Sequence, residues 1–299
     1  MNQKGKFTIG TDFEGFIVDK QQQLKSAIGI IQGTKQEPII LENGAGLHYD
    51  NVCIEVAGPV ANDEVSFRKS INISLAYAHK HLPKQYGITF IPSTLFPEKE
   101  LESSQAKEFG CNPDYNAWTL KRNPSPNASD KTLRSSGAHI SIGYLKDSGY
   151  NFLLEPYGRV DVIRTMDCLI GLPSVLMDSS TSAKKRRELY GKAGAHRPRS
   201  YGVEYRTLSN FWIKSNRRIS LIYHMVKDVL NLVERGEHVK VIEAIDYVQY
   251  THHDYSGMRI EQVINTGSQI AADNIVQNMI ADGVYSDKTV VLLTEELGW

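Results

Sequence analysis

The chain has 299 residues, of which 34 are basic and 34 are acidic, so its formal net charge is zero. A neutral chain lacks the overall field that attracts nucleic acid or anionic lipid, which disfavours both as general partners. Because 41% of the residues are hydrophobic, the chain can bury a full core.

The first residues carry no apolar segment of the kind found in secretion signals. No apolar run approaches the roughly 20 residues that a membrane helix needs. The three cysteines, Cys53, Cys111 and Cys168, are far apart and odd in number, which is typical of reduced thiols rather than a disulfide framework. These patterns predict a globular protein of the cytoplasm.

The N-terminal part alternates apolar and polar residues, which predicts strands over 6–19 and 50–60. Asp63 then caps a predicted helix whose apolar face repeats every three or four residues from Phe67 to Leu82. The segment 87–94 returns as a predicted strand, and 121–137 reads as a loop because it is rich in Pro, Ser and Asn.

Further strands are predicted in "GAHISIGY" and "GVEYRTL", with helices over about 157–178 and through "SAKKRRELYG". From residue 214 onward the apolar spacing is helical, first over Ile219–Val233 and then over 238–250 and 258–281. The sequence therefore predicts an α+β fold in which residues 1–212 bear the sheet and 213–299 form a helical part packed on it. We expect residues 1–299 to form a single catalytic domain.

Four predicted strands carry groups that suit a metal–phosphate site. Asp12 and Glu14 are two residues apart, so they project from one face of a strand, where two carboxylates repel each other unless a cation lies between them. Charged pairs that face solvent are common, so a purely structural role is the alternative for this pair. Glu55 is flanked by apolar residues, although an edge strand facing water would also explain it.

His139 lies in a clear strand, and is interpreted as the only one of nine histidines that does, although a hydrogen-bonded core histidine is the usual alternative. His79, His81 and the His252–His253 pair are interpreted as surface residues. The last group is Glu204 with Arg206, which a surface ion pair would also explain.

Upstream of Glu204 lies a basic, glycine-containing segment whose backbone can approach a ligand closely. The arginine fork suits phosphate oxygens, and Mg²⁺ binds through carboxylates together with substrate phosphates. Acids, an imidazole and arginines together predict a site for ATP and Mg²⁺. There is no Walker A motif, no G-x-G-x-x-G after a strand and no kinase catalytic loop, so side chains on a sheet have to hold the nucleotide.

In chain order, several segments resemble the phage-type carboxylate–amine ligases (COOH-NH2 ligase, type 2), a branch of the glutamine synthetase and glutamate–cysteine ligase superfamily. The segments span residues 8–212 and are "IGTDFEGFIVD", "GTK" at Gly33, "CIEVAGP", "FGCNPDYNAW", "GAHISIGY" and "RRELYGKAGAHRPRSYGVEYRTLSNFW". The resemblance implies a curved, mainly antiparallel sheet of the glutamine synthetase catalytic type, with helices on its outer face. It also implies a cytoplasmic enzyme, in the host cytoplasm if a phage encodes it.

The resemblance further implies roles for individual residues. The metal ligands for Mg²⁺ or Mn²⁺ are Asp12, Glu14, Glu55, His139 and Glu204. Catalysis is assigned to Arg197, Arg206 and Glu55, and nucleotide binding to Arg186, Arg187, Lys192, Arg197, Arg206 and Ser141. The residues assigned to substrate are Arg134, Tyr115, Asn116 and Trp118.

Three departures from the family pattern bear on these roles. Asp12 stands where many relatives have Glu, Phe13 replaces a proline, and Ser141 replaces the second residue of a His-x-His pair. The last change removes an imidazole contact to nucleotide, which leaves the weaker donor Ser141 in its place.

The activity implied is ATP- and Mg²⁺-dependent amide-bond formation through an acyl phosphate, between a small-molecule or peptide carboxylate and an amine. Two alternatives stay open at this point. The same fold supports guanidino kinases, and a chain of this kind can also be a binding protein without catalysis. Oligomers are known in the superfamily and are compatible with the sequence, which does not identify the acid or the amine.

Overall fold

The computed structural model describes residues 6–108, 114–126, 130–251 and 258–299, without the side chains of 246–251. Cys111, the His252–His253 pair and part of "FGCNPDYNAW" therefore lie outside the described residues. The strands are β1 (Phe7–Asp19), β2 (Leu24–Lys25), β3 (Ile39–Ile40), β4 (Gly46–Asp50), β5 (Cys53–Ala57), β6 (Tyr86–Thr89), β7 (Ser93–Leu95), β8 (Tyr115–Asn116), β9 (Lys121–Arg122), β10 (Leu133–Ser135), β11 (Ala138–Tyr144), β12 (Ala195–Arg199) and β13 (Gly202–Tyr205).

The helices are α1 (Glu64–His81), α2 (Ser104–Lys107), α3 (Pro156–Met166), α4 (Leu172–Met177), α5 (Thr181–Leu189), α6 (Asn216–Glu234), α7 (His238–Thr251), α8 (Ile260–Thr266), α9 (Gln269–Ala281) and α10 (Asp287–Leu297). A π-helical turn, Asp167–Gly171, joins α3 to α4. Within the described ranges, no helix combines the length and apolar character needed to cross a bilayer.

The main sheet follows the order β3-β4-β5-β1-β11-β13-β12-β8-β9, and β2 and β6 also pair with β1. Neighbouring strands along this path are antiparallel. The α+β class and the mainly antiparallel sheet are thus confirmed. The path has two open ends and does not close on itself, and the glutamine synthetase catalytic type stays a prediction.

Alternation along β1 separates the two faces of the sheet, because successive side chains of a strand point to opposite sides. Phe7, Ile9, Phe13 and Ile17 are buried in the main hydrophobic cluster. That cluster includes residues of α1, α3 and α6, and these helices contact the sheet or one another. Asp12 and Glu14 have the opposite parity, so the sheet itself carries them away from the helical layer.

Helix α1 follows its prediction closely. Asp63 is the N-cap, and its side chain accepts a hydrogen bond of 2.9 Å from the backbone N–H of Ser66. Phe67, Ile71 and Ala78 are buried, which places the predicted apolar stripe against the core. The helix ends before Leu82, whose backbone is extended.

Several element boundaries differ from those predicted. The segment 87–94 divides between β6, which pairs with β1, and β7, which pairs with β10 in a separate two-stranded sheet. The predicted helix over 258–281 is interrupted at Gly267, whose φ of 67° is left-handed and ends α8. His139 is not alone in a strand, because His48 lies in β4 and His196 in β12.

Asp228 connects α6 to the start of α10. One of its carboxylate oxygens accepts hydrogen bonds from the Ser286 N–H (3.1 Å), the Ser286 hydroxyl (3.0 Å) and the Thr289 hydroxyl (2.6 Å). Because Asp228 and Thr289 are buried, removing the acceptor leaves donors without a partner, which costs about 1–3 kcal/mol.

We therefore expect Asp228→Ala to lower the free energy of unfolding by about 2 kcal/mol in urea titrations. Asp282→Ala serves as the matched control because Asp282 is exposed at the end of α9, and we expect it to change stability by about 0.5 kcal/mol or less. Equal effects of the two substitutions would contradict a supporting role for Asp228.

Candidate active site

The polar face of the sheet carries a row of ionisable residues that are matched across neighbouring strands. His48 on β4 lies opposite Glu55 on β5, and Glu55 lies opposite Glu14 on β1. Asp12 on β1 lies opposite His139 on β11. This face is the one turned away from the hydrophobic cluster that α1, α3 and α6 share with the sheet, so that cluster is not required to accommodate these charges.

The row continues on the other side of β11. Ser141 lies opposite Glu204 on β13, and Glu204 lies opposite Arg197 on β12. The structure therefore brings Asp12, Glu14, Glu55, His139, Glu204 and Arg197 to one face, although 192 residues separate the first acid from the last (204 − 12).

Three carboxylates form an acidic cluster at the β1–β5 end of the row. Glu14, Asp50 and Glu55 each place an oxygen within 4.8 Å of the others, the spacing expected around a shared cation. Burial and the neighbouring Glu55 raise the pKa of Glu14, and burial likewise raises the pKa of Asp50. Like charges at this separation are unfavourable without a counter-ion, so the cluster fits a divalent metal.

Asp12 lies beside this cluster and responds in the same way. Burial, followed by repulsion from Glu55 and Glu204, raises its pKa to about 7. Asp50 was not among the predicted ligands. It ends β4 immediately before a tight turn, where an aspartate in sequence alone is typical of a turn residue.

His48 supports Glu55 from the strand next to it. Its Nε2 lies 3.4 Å from a carboxylate oxygen of Glu55, and both side chains are almost fully buried. Burial acts to raise the pKa of Glu55, but His48, Lys35 and Arg206 act together against it, and the pKa is lowered. Glu55 is therefore held in its ionised form, the form that binds metal.

Glu204 is fully buried, and each of its oxygens contacts a different guanidinium. One oxygen accepts from Arg199 and the other from Arg206. Arg206 follows the end of β13, and its Nη1 lies 3.2 Å from Nδ1 of His139 while its Nε lies 3.4 Å from Asp114. Burial and the adjacent Arg206 lower the pKa of His139 well below its usual value, so its imidazole is neutral.

A cavity of about 640 Å³ lies over this face. Its size suits a small-molecule ligand. Among its lining residues, Asp12, Glu14, Asp50 and Glu55 lie on β1, β4 and β5, and Arg197, Arg199 and Arg206 lie on or directly after β12 and β13. Lys35 lines the cavity near the acids, with its Nζ 3.8 Å from Asp50, and Glu108 and Glu204 complete the charged lining.

A narrower opening, which we call the slot, leads from the same region. It holds about 60 Å³, and its lining shares Glu14, Asp50, Asn51, Glu108, His139 and Arg206 with the large cavity. It continues toward Val52, Cys53, Leu189 and Tyr190. None of these four residues was predicted to contribute to the site.

Two predicted arginines lie at the slot rather than at the large cavity, and both are directed to backbone. Arg186 donates to the carbonyls of Ser136 (2.9 Å) and Thr207 (2.8 Å). Arg134 donates to the carbonyls of Leu133 (2.8 Å) and Ala106 (2.6 Å). Their contacts are therefore those of arginines that hold loops in place.

Other predicted residues lie further away. Arg187 is buried, with a guanidinium nitrogen near Gly267 at the end of α8. Lys192 is half-buried in the turn before β12, and its carbonyl accepts from the Thr207 hydroxyl. Neither lines the large cavity where the structure describes it. Ser141 faces the polar side, and its hydroxyl lies 3.1 Å from that of Tyr201.

Tyr115, Asn116 and Trp118, which the family resemblance assigns to substrate, line neither of the two openings formed by the described residues. The ring of Tyr115 faces the Arg122 guanidinium at 5.5 Å. The side-chain oxygen of Asn116, Oδ1, accepts from the N–H groups of Trp118 and Thr119, which closes a turn. The Trp118 indole donates to Asp167 at 2.6 Å, on the helical side of the sheet.

Asp167 lies at the start of the π-helical turn and is fully buried. Besides Trp118, it accepts from the Gly194 N–H (2.6 Å) and the Tyr205 hydroxyl (2.8 Å). Burial raises its pKa to about 7, although the donors favour its ionised form. This network connects the strands of the site to helix α3 on the helical side of the sheet.

The shifted pKa of Asp167 gives a pH dependence with a definite sign. Between about pH 4 and pH 7 the folded protein keeps a proton on Asp167 that the unfolded chain has lost, so stability falls as pH rises through this window. Asp167→Asn removes this titration. We expect the stability of the variant relative to the unmodified protein to increase from pH 5 to pH 8, by about 2–3 kcal/mol, with most of the change below pH 7.

Urea titrations at pH 5, 6, 7 and 8 would measure this difference, with Glu102→Gln as a control at an exposed carboxylate. The control is expected to give a difference that does not change with pH. A constant difference for Asp167→Asn as well would show that Asp167 does not titrate in this range.

Comparison with known proteins gives one family match. The model of the family described as phage phiEco32-like COOH.NH2 ligase-type 2 matches residues 154–254, a range that contains Arg197, Glu204 and Arg206. No curated protein matches the chain. Among solved structures, a bifunctional glutathione synthetase from Pasteurella multocida aligns over 98% of this chain and 51% of its own, at 11% identity and a TM-score of 0.45. The chain thus spans about half the length of that protein.

Proposed function

We propose that this chain is an ATP- and Mg²⁺-dependent carboxylate–amine ligase, which forms an amide bond through an acyl phosphate. The observation that carries the proposal is the large cavity, whose lining has carboxylates on β1, β4 and β5 and arginines on or directly after β12 and β13. Such a lining suits metal ions together with a polyphosphate. The family match over 154–254 supports the ligase class and covers these arginines.

The donor set fits a divalent ion. Glu14, Asp50 and Glu55 offer carboxylate oxygens at one position, and Asp12 and His139 are neighbours across β1 and β11. The oxygens of Glu204 accept from Arg199 and Arg206, and the neutral His139 accepts from Arg206 at Nδ1, so each of these two residues would bind a metal by exchanging an arginine for it. Bound Mg²⁺ would neutralise charge on the phosphates. Mn²⁺ suits the same oxygen and imidazole donors.

In the proposed reaction, a carboxylate oxygen of the acid attacks the γ-phosphorus of ATP, and ADP leaves. The amine then attacks the carbonyl carbon of the acyl phosphate, the bond from that carbon to the phosphate oxygen breaks, and the nitrogen loses a proton. Arg197, Arg199 and Arg206 line the region where phosphoryl charge develops, and positioned cations stabilise such charge. Glu55, held ionised by His48, Lys35 and Arg206, belongs to the acidic cluster.

Within this proposal the chain acts as a single catalytic domain of the cytoplasm. Its sheet belongs to the glutamine synthetase catalytic type. The partners are a small-molecule or peptide carboxylate and an amine, without nucleic acid or membrane.

Replacing Glu204 and Arg206 tests the reaction. We expect Glu204→Gln and Arg206→Ala each to reduce amine-dependent ADP release by about 100-fold or more, because Arg206→Ala removes a cation from the phosphate region and Glu204→Gln removes the carboxylate that holds Arg199 and Arg206 in place. Host metabolite extract would supply the acid and amine, and mass spectrometry would identify the product. Glu295→Gln and Arg217→Ala are matched controls, since these residues form an exposed ion pair elsewhere.

The same assay separates the alternatives. A guanidino kinase would release ADP without an amide product and would leave a stable phosphorylated compound. A binding protein would show no Mg²⁺-dependent nucleotide binding in calorimetry. Unchanged turnover in both site variants would reject the assignment of the site.

Replacing the acidic cluster tests the metal site separately. We expect Asp50→Asn and Glu55→Gln to weaken Mn²⁺ binding by about 10-fold or more, because each removes a charged ligand atom. Calorimetry after treatment with a chelator would measure this affinity, and Asp287→Asn, at an exposed position, is the control. Equal Mn²⁺ affinity in all three variants would place the metal elsewhere.

A further inference from the structure

We propose that the slot binds the amine substrate, and that this amine is a primary alkylamine with no carboxylate on the same carbon. The inference rests on the proposed ligase function and names the class of its second substrate. It replaces the sequence-based assignment of Tyr115, Asn116 and Trp118 to substrate.

The position of the slot is the first support. It shares His139 and Arg206 with the large cavity, so a group inside it reaches the region where phosphoryl transfer would take place. In the second step of the proposed reaction, the nitrogen must approach a carbonyl carbon that carries a phosphate. A separate opening beside the phosphate region allows that approach while the large cavity holds the nucleotide.

The width of the slot is the second support. A volume of about 60 Å³ is one tenth of that of the large cavity and admits only a slender group. Its walls combine carboxylates with the apolar residues Val52, Cys53 and Leu189. An alkylammonium matches both kinds of wall, because it has a small cationic end on an apolar stem.

The charges of the slot are the third support. Four carboxylates line it, those of Glu14, Asp50, Glu108 and Asp114. Glu14 and Asp50 belong to the proposed metal site, so Glu108 and Asp114 are the acids assigned to the amine. The arginines of the described lining already have protein acceptors, since Arg134 and Arg186 donate to backbone carbonyls and Arg206 pairs with Glu204 and Asp114. A cationic amine gains favourable contacts here, whereas a substrate carboxylate would have to compete for these arginines.

Selectivity against amino acids follows from the acidic lining of the slot and from the existing pairing of its arginines. An α-amino acid brings a carboxylate next to its amine, and that carboxylate would meet the acidic lining of the slot. The structure therefore favours a terminal amine, such as that of a lysine side chain or a diamine. The amine must lose its proton before attack, and the carboxylates that hold the ammonium are placed to accept it.

Binding of three matched probes tests the proposal on the full chain with Mg²⁺ and a non-hydrolysable ATP analogue. Pentylamine carries the amine alone, norleucine adds a carboxylate on the same carbon, and 1-pentanol has the stem without the charge. We expect pentylamine to bind, measured by calorimetry or ligand-observed NMR, and the other two to bind at least 10-fold more weakly.

Variants connect that binding to the slot. Glu108→Gln and Asp114→Asn are expected to weaken pentylamine binding about 5- to 10-fold, because each removes one negative charge. Glu102→Gln, at an exposed site outside the slot, is expected to leave binding unchanged. Circular dichroism would verify that each variant is folded.

Equal binding of norleucine and pentylamine, absence of pentylamine binding, or unchanged binding in both slot variants would each overturn the proposal. These results differ from failure of the ligase function itself. That failure appears as absence of Mg²⁺-dependent nucleotide binding in the unmodified protein, which is measured before any amine is added.

Discussion

Repulsion between carboxylates on one face of a rigid sheet is the constraint on which the rest of the site depends. Glu14 and Glu55 are direct partners across β1 and β5, so neither can move away without breaking the register of the strands. A one-residue slip would turn both acids into the hydrophobic core, which fixes that register strongly. The core thus holds the acids together, and a cation is the simplest way to relieve their repulsion.

At the β13 end of the row, a buried carboxylate is stabilised by neighbouring cations instead of being crowded by other carboxylates. Glu204 is fully buried, and its charge is compensated by Arg199 and Arg206. Buried charges are tolerated when they are paired, and removal of one partner leaves the other uncompensated. The two guanidiniums differ in freedom, because the side chain of Arg199 is 38% exposed and that of Arg206 is 7% exposed. Arg199, absent from the sequence-based assignment, is therefore the more accessible of the two to a phosphate.

Successive side chains of a strand alternate between its two faces. This alternation explains which parts of the site could be predicted from the sequence. Asp12, Glu14, Glu55 and His139 stand at alternate positions among apolar residues, so their shared face followed from local pattern alone. Asp50 could not be found in this way, since its position in the cluster depends on the turn between β4 and β5. The backbone contacts of Arg186 and Arg134 could not be predicted either, because a sequence does not show which carbonyl groups lack a hydrogen-bond donor. For the same reason, Trp118 was assigned to a substrate although its indole donates to Asp167.

The Asp167 network shows how the two faces of the sheet depend on each other. Tyr205 points to the helical side and donates to Asp167, while its neighbours Glu204 and Arg206 are directed to the site. Gly194 donates to the same carboxylate three residues before Arg197. One buried acceptor therefore fixes both strands that carry the arginines of the site, and it does so through backbone and hydroxyl donors rather than through charge. A site that keeps several like charges close together requires such a support, because side-chain repulsion would otherwise be relieved by movement of the strands themselves.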